Sequence, residues 1–194
     1  MLKLSWDLFI VVVFGFIMAY SFIIGRNSTL KVIIGSYIAI LTADGLGNLF
    51  KEYLLSSSQF VSFLKFFGLG SEDKTMIFVK VIIFIVAIVI LSIKGGFEIK
   101  GRHNGGVIGL IMSGIFGFLS AGLVISTLLI YVSGASFVSG DISIVNNTLA
   151  AAYTESQMIR LMIDNYNFWF AMPALAFLLA SLFNESVHAR EELG

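Results

Sequence analysis

Residues 105–121 read GGVIGLIMSGIFGFLSA, an uncharged run that carries a small residue at every fourth position. Apolar residues continue from there to about residue 132, and a helix needs roughly 20 of them to cross a bilayer. The small residues share one slowly drifting face of that helix: Gly105, Gly109, Ser113, Gly117 and Ala121. Because membrane helices associate through close packing, this small-residue face predicts a surface on which another helix lies.

The sequence leaves the occupant of the small-residue face open. Another span of the same chain is one alternative, and an identical subunit or a different membrane protein is the second. A pore lining is the third, although the face carries no charge and a single hydroxyl, that of Ser113.

The composition predicts an integral membrane protein. Hydrophobic residues make up 58% of the 194 residues and charged residues 12%, whereas soluble domains carry about 25% charged residues. Net charge is zero, with 12 basic and 12 acidic residues, so nothing indicates a nucleic-acid partner. The chain has no cysteine, which excludes thiolate metal sites and cysteine nucleophiles. His103 and His188 stand in different polar segments, so we expect no metal and no cofactor.

The apolar runs predict an all-α, polytopic bundle that forms one membrane domain over residues 1–194. Five segments reach or approach the length of a span: about residues 7–25, 29–48, 75–93, 106–132 and 166–183. We therefore expect four to five spans. Two connections, about residues 51–70 and 141–165, mix apolar and polar residues in a pattern typical of interfacial amphipathic helices.

The distribution of basic residues predicts the orientation. Lys3 precedes an uncharged run from Leu8 to Ile24, which is longer than a cleaved signal peptide needs and indicates an uncleaved anchor. Six basic residues lie in short loops and the tail on one side, against five in longer segments on the other. Since basic loops stay in the cytoplasm, we expect the N-terminus outside and the tail inside the cytoplasmic membrane of a prokaryote.

Asp44 and Lys80 are the ionisable residues placed well inside predicted spans. With spans two and three antiparallel, both lie at one depth, less than about 10 Å from the outer boundary at ~1.5 Å per residue. Three interpretations follow: Lys80 extends to the headgroups while Asp44 belongs to a broken helix end, the two form a structural ion pair, or they serve an ion or proton pathway.

No pattern indicates an enzyme. Ser136 and the sequence Ser139-Gly140-Asp141 lack a histidine or lysine placed to activate a serine, and no glycine-rich phosphate motif ends in Lys-Ser or Lys-Thr.

Several motifs together resemble the colicin V production protein family of bacterial inner-membrane proteins. They are Trp6-Asp7 before the first span, IIGR at 23–26, SYIAIL at 36–41, and Gly101-Arg102 followed by Gly105, Gly109 and Gly117. The resemblance implies an inner-membrane protein linked to toxin production or secretion and to the cell envelope. It implies no catalytic residue.

The sequence thus predicts a non-enzymatic scaffold or assembly subunit that acts by helix–helix packing. Its expected partners are the lipid bilayer and, through the small-residue face, itself or another membrane protein. The alternative is a small channel or transporter that uses Asp44 and Lys80.

Overall fold

The computed structural model describes residues 5–55, 57, 59, 61–62, 66, 71–94, 107–137 and 147–191. Within these ranges the chain forms six helices and no strand, so the expected all-α fold is confirmed there. The helices are α1 (Trp6–Tyr53), α2 (Glu72–Lys94), α3 (Val107–Ser133), α4 (Asn147–Glu155), α5 (Gln157–Asp164) and α6 (Tyr166–Glu191).

Three of the described helices are long and apolar enough to cross a membrane: α1, α2 and the Gly109–Ser133 part of α3. Helix α6 contains a shorter apolar stretch, Tyr166–Ser181. By length and composition, the chain is therefore a membrane protein.

Helix α1 contains 48 residues and is interrupted at Gly25, whose φ of 77° and ψ of 170° are non-helical. The sequence predicts a loop between about residues 25 and 29; in the structure Gly25 alone makes the turn. The Thr29 hydroxyl lies 3.2 Å from the Ser21 carbonyl oxygen and 3.0 Å from that of Gly25. Residues eight apart in a straight helix are separated by about 12 Å, so the chain folds back at this point.

The two halves of α1 consequently run in opposite directions. The first half (residues 6–24) is antiparallel to α3, since a Cβ at Gly114 would lie 3.5 Å from Phe22 and the rings of Phe14 and Phe118 are 5.2 Å apart. The second half (residues 26–53) is antiparallel to α2, because Gly35 contacts Leu91 and Gly47 contacts Lys80. We call the end of the bundle that holds residues 6–8, 48–53, 72–75 and 131–135 the Asp7 end.

Helix α3 is the centre of the bundle. In an apolar stretch of 18 residues of α3, 67% of the residues are buried, against 11% in apolar stretches of the same length in α1 and α2. One side of α3 packs with the first half of α1 and with α4, α5 and Trp169. Its other side packs with the second half of α1, with α2 and with α6.

The two connections expected to be amphipathic are only partly described. Half of residues 51–70 and all of 141–146 lie outside the described residues. The rest of the second connection forms two helices rather than one, because Ser156 has an extended backbone (φ −110°, ψ 121°) between α4 and α5. Its hydroxyl accepts the backbone N–H of Ile159 at 3.1 Å and so caps α5.

Candidate functional site

Asp44 and Lys80 meet between the second half of α1 and α2. Lys80 Nζ donates to Asp44 Oδ1 over 2.8 Å. The Asp44 side chain is fully buried and that of Lys80 is 8% exposed. The contact follows from the antiparallel packing of the two helices, which brings residues 36 positions apart in sequence to one depth.

Two neighbours shape the path of the Lys80 side chain. A Cβ at Gly47 would lie 2.9 Å from Lys80 Cγ, so the glycine leaves the space that the aliphatic stem occupies. Lys80 Nζ lies 5.9 Å from the centre of the Tyr131 ring, within the range of a cation–π contact. The Tyr131 hydroxyl donates to the Ile40 carbonyl over 3.0 Å, which holds the ring beside the ion pair.

The geometry of Asp44 and Lys80 is that of a buried ion pair. Lys80 turns toward Asp44, and α1 remains helical beyond Asp44 as far as Tyr53. Asp44 therefore does not end a broken helix. A buried pair of this kind offsets the desolvation of its charges only when its geometry is good, and a 2.8 Å contact meets that condition.

A cavity of about 620 Å³ opens at the Asp7 end and reaches Lys80 of this pair. The end of α1, the start of α2 and the end of α3 enclose it. Its lining residues are Asn48, Lys51, Ser71, Glu72, Asp73, Lys74, Met76, Ile77, Lys80, Tyr131, Ser133, Gly134 and Ala135.

The charges of the cavity are arranged by depth. At the exposed rim Lys51 and Glu72 form an ion pair of 2.9 Å, with side chains 59% and 56% exposed. Asp73 and Lys74 are also exposed, whereas Lys80 and Tyr131 are buried. The cavity thus runs from a charged rim to the buried Lys80 side chain.

Sequence reasoning missed this cavity and the role of Tyr131. The charged residues around 51 and 72–74 mark helix ends, which is where charges are expected at a membrane boundary. Tyr131 stands among aliphatic residues near the end of a predicted span. A single tyrosine in that position only weakly indicates a functional role. The cavity forms where three helix ends meet, and no local sequence motif predicts which helix ends will meet.

The described part of the small-residue face is largely covered by the chain itself. A Cβ at Gly117 would lie 3.0 Å from Ser21 Cβ, and on the neighbouring side of the helix a Cβ at Gly122 would overlap the ring of Trp169. Ala121 is fully buried. Gly109 and Ser113 are only half-buried. Gly105 and Gly101-Arg102 lie outside the described residues.

Asp7 links the start of α1 to the start of α5. Its Oδ1 accepts the backbone N–H of Met158 over 3.0 Å and the hydroxyl of Ser156. A carboxylate at the N-terminus of a helix is stabilising because the helix dipole is positive there. Asp7 and Ser156 together therefore hold the short α5 against the bundle.

Within the part of the chain that the structure describes, no group of three or more histidine, cysteine, aspartate or glutamate residues is placed to hold a metal ion.

Comparisons with family models, with curated proteins and with solved structures found no match. The resemblance to the colicin V production protein family therefore stays a prediction from the motifs, and the site has to be interpreted from its own geometry.

Proposed function

We propose that this chain is a non-enzymatic membrane protein, a scaffold or assembly subunit that acts by helix–helix packing. The observation that carries the proposal is the surface at the start of α3. There, half-buried Gly109 and Ser113 stand among exposed apolar side chains, namely Leu110, Ile111, Met112 and Ile115. Small residues beside exposed apolar ones allow the backbone of a second helix to approach closely.

The packing inside the chain restricts where a partner helix can lie. Around Gly117 and Ala121 the small-residue face is filled by the chain itself, with Ser21 of α1 against Gly117. The part left for a partner is therefore residues 109–115. The bilayer itself would contact the outward aliphatic side of α2, where Ile85, Val89 and Ile93 are exposed.

The proposed topology has four full spans: the two halves of α1, then α2 and α3. Tyr166–Ser181 of α6, at ~1.5 Å per residue, is shorter than the roughly 30 Å hydrocarbon core and is a partial fifth. The basic loops place the N-terminus outside, and the family resemblance suggests the inner membrane of a bacterium, with a role in toxin export or envelope maintenance.

Crosslinking in native membranes, followed by purification, tests the scaffold. Gly109→Leu should lower the yield of crosslinked partner or homo-oligomer severalfold, because the larger side chain blocks close approach. Gly15→Leu is the matched control, since Gly15 is exposed on α1 with no heavy atom near its Cβ position. Unchanged crosslinking in Gly109→Leu would remove the proposal.

A channel or transporter is the second candidate, and the cavity that reaches Lys80 favours it. Charged residues inside membrane helices often mark ion or proton pathways. Purified protein in liposomes loaded with a pH-sensitive dye should then pass protons, and Asp44→Asn should abolish the flux per folded protein. Glu155→Gln, exposed on α4 and outside the lining of the cavity, is the control. Equal flux in wild type and Asp44→Asn would rule this candidate out.

A further inference from the structure

The rim of the cavity carries two exposed charges of opposite sign, those of Asp73 and Lys74. Lys51 is paired with Glu72, and Lys80 with Asp44. Asp73 and Lys74 also line the cavity, and neither has an ion-pair partner among the described residues. The cavity therefore offers one carboxylate and one ammonium, on successive residues of α2, to a ligand.

The position of these two residues is that of a membrane boundary. Asp73 and Lys74 lie in the first turn of α2, and the long apolar run of this helix follows directly. Charged residues at the end of an apolar span lie at the level of the lipid headgroups. A ligand in this cavity is therefore within reach of the bilayer surface.

The volume and the lining define the chemistry of the ligand. About 620 Å³ falls within the usual size of small-molecule sites, roughly 300–1,000 Å³. Lys74 can donate to an anionic oxygen, and Asp73 can accept from a cationic amine. Met76, Ile77 and Ala135 supply an apolar wall beside them. These features together suit a zwitterion with a short apolar extension.

We propose that the cavity at the Asp7 end binds a zwitterionic phosphate–ammonium group of the phosphoethanolamine type, carried by a membrane lipid. The phosphate lies at Lys74 and the amine at Asp73. The proposal does not depend on either function proposed above, because a bound headgroup serves a scaffold as well as a transporter.

Native mass spectrometry of the full chain, released from detergent, tests this proposal with three probes: a short-chain phosphatidylethanolamine, a short-chain phosphatidylglycerol and water-soluble phosphoethanolamine. The ethanolamine lipid should bind in a 1:1 complex. Lys74→Gln and Asp73→Asn should each weaken that binding about tenfold, as expected for a lost charged hydrogen bond. Lys94→Gln, at the other end of α2, is the matched control and should bind as wild type does.

The outcomes separate the alternatives. Equal binding of the lipid and of soluble phosphoethanolamine supports the zwitterion site but makes its ligand a soluble molecule. Stronger binding of the lipid supports the headgroup. Equal binding of the glycerol lipid, with no effect of Asp73→Asn, overturns the proposal in favour of a simple anion site. Equal binding by Lys74→Gln and Lys94→Gln overturns it altogether.

Discussion

At the scale of single residues, the buried contact between Asp44 and Lys80 carries a large desolvation cost. Transfer of each charge out of water costs several kcal/mol, and the pair offsets this only while both partners are present. The pair joins the second half of α1 to α2. Loss of one partner leaves the other buried.

We predict that Lys80→Met lowers the free energy of unfolding by about 3–5 kcal/mol, because the buried Asp44 carboxylate loses its cation. The double variant Asp44→Leu with Lys80→Met should recover much of that loss, since it removes both charges. Unfolding in mixed detergent and SDS, followed by circular dichroism, measures both.

The control for this prediction is the exposed pair of Lys51 and Glu72. Its side chains are more than half exposed, and exposed pairs contribute about 0–1 kcal/mol. Lys51→Gln should therefore unfold close to wild type. If Lys51→Gln lowered the free energy of unfolding as much as Lys80→Met does, burial would not explain the effect of Lys80→Met.

At Gly122, helix α3 lies close to Trp169 of α6. A Cβ at this position would overlap the ring of Trp169, so Gly122→Ala should destabilise the fold by about 1–3 kcal/mol. Gly45→Ala is the matched control, because its Cβ would meet no heavy atom within 4 Å. Thermal unfolding in detergent should separate the two variants; equal midpoints would show that Trp169 can move aside.

At the scale of elements, the two halves of α1 and their turn decide the topology. A single residue reverses the chain because Gly25 has a positive φ with an extended ψ, a conformation that is essentially confined to glycine. The Thr29 hydroxyl, which follows the turn, shares its one proton between the Ser21 carbonyl before the turn and the Gly25 carbonyl in it. No loop is needed.

Gly25→Ala should therefore destabilise the protein by about 1–3 kcal/mol through backbone strain, although its Cβ would touch nothing within 4 Å. Gly15→Ala has the same free space and an ordinary helical backbone, so it should be neutral or slightly stabilising. The two variants are compared by thermal unfolding in detergent. Equal stability would mean that the turn can relax.

The sequence anticipated the long helices well and the short ones less well. The predicted span at residues 75–93 is close to Glu72–Lys94 of α2. A run of apolar residues in a bilayer forms a helix because the helix satisfies its backbone hydrogen bonds internally. The single helix expected in the second amphipathic connection is divided at Ser156 instead. There, a side-chain cap and the contact with Asp7 outweigh the local pattern.

At the scale of the whole molecule, the antiparallel contacts place Gly25 and the end of α2 at one end of the bundle and the start of α2 at the other. The chain has no cysteine, so a single introduced cysteine is the one residue of the chain that a maleimide can label, and its labelling shows on which side of the membrane it lies. Asn27→Cys and Lys94→Cys should react with a membrane-impermeant maleimide from one side of the membrane, and Ser71→Cys from the opposite side.

The same labelling in spheroplasts tests the orientation. If the N-terminus is outside, Ser71→Cys reacts in intact spheroplasts and Asn27→Cys only after lysis. Reaction of Asn27→Cys and Ser71→Cys from one side would show that the second half of α1 does not cross the membrane.

Composition and the length of the apolar runs by themselves determined that the chain is helical and built for a membrane, because bilayer thickness and backbone hydrogen bonding leave few alternatives. They also placed Asp44 and Lys80 at one depth. Only the tertiary structure decided that α1 and α6 cover Gly117 and Gly122, and that three helix ends enclose a charged cavity. Those facts depend on which helix faces meet, and contacts between residues far apart in sequence determine that.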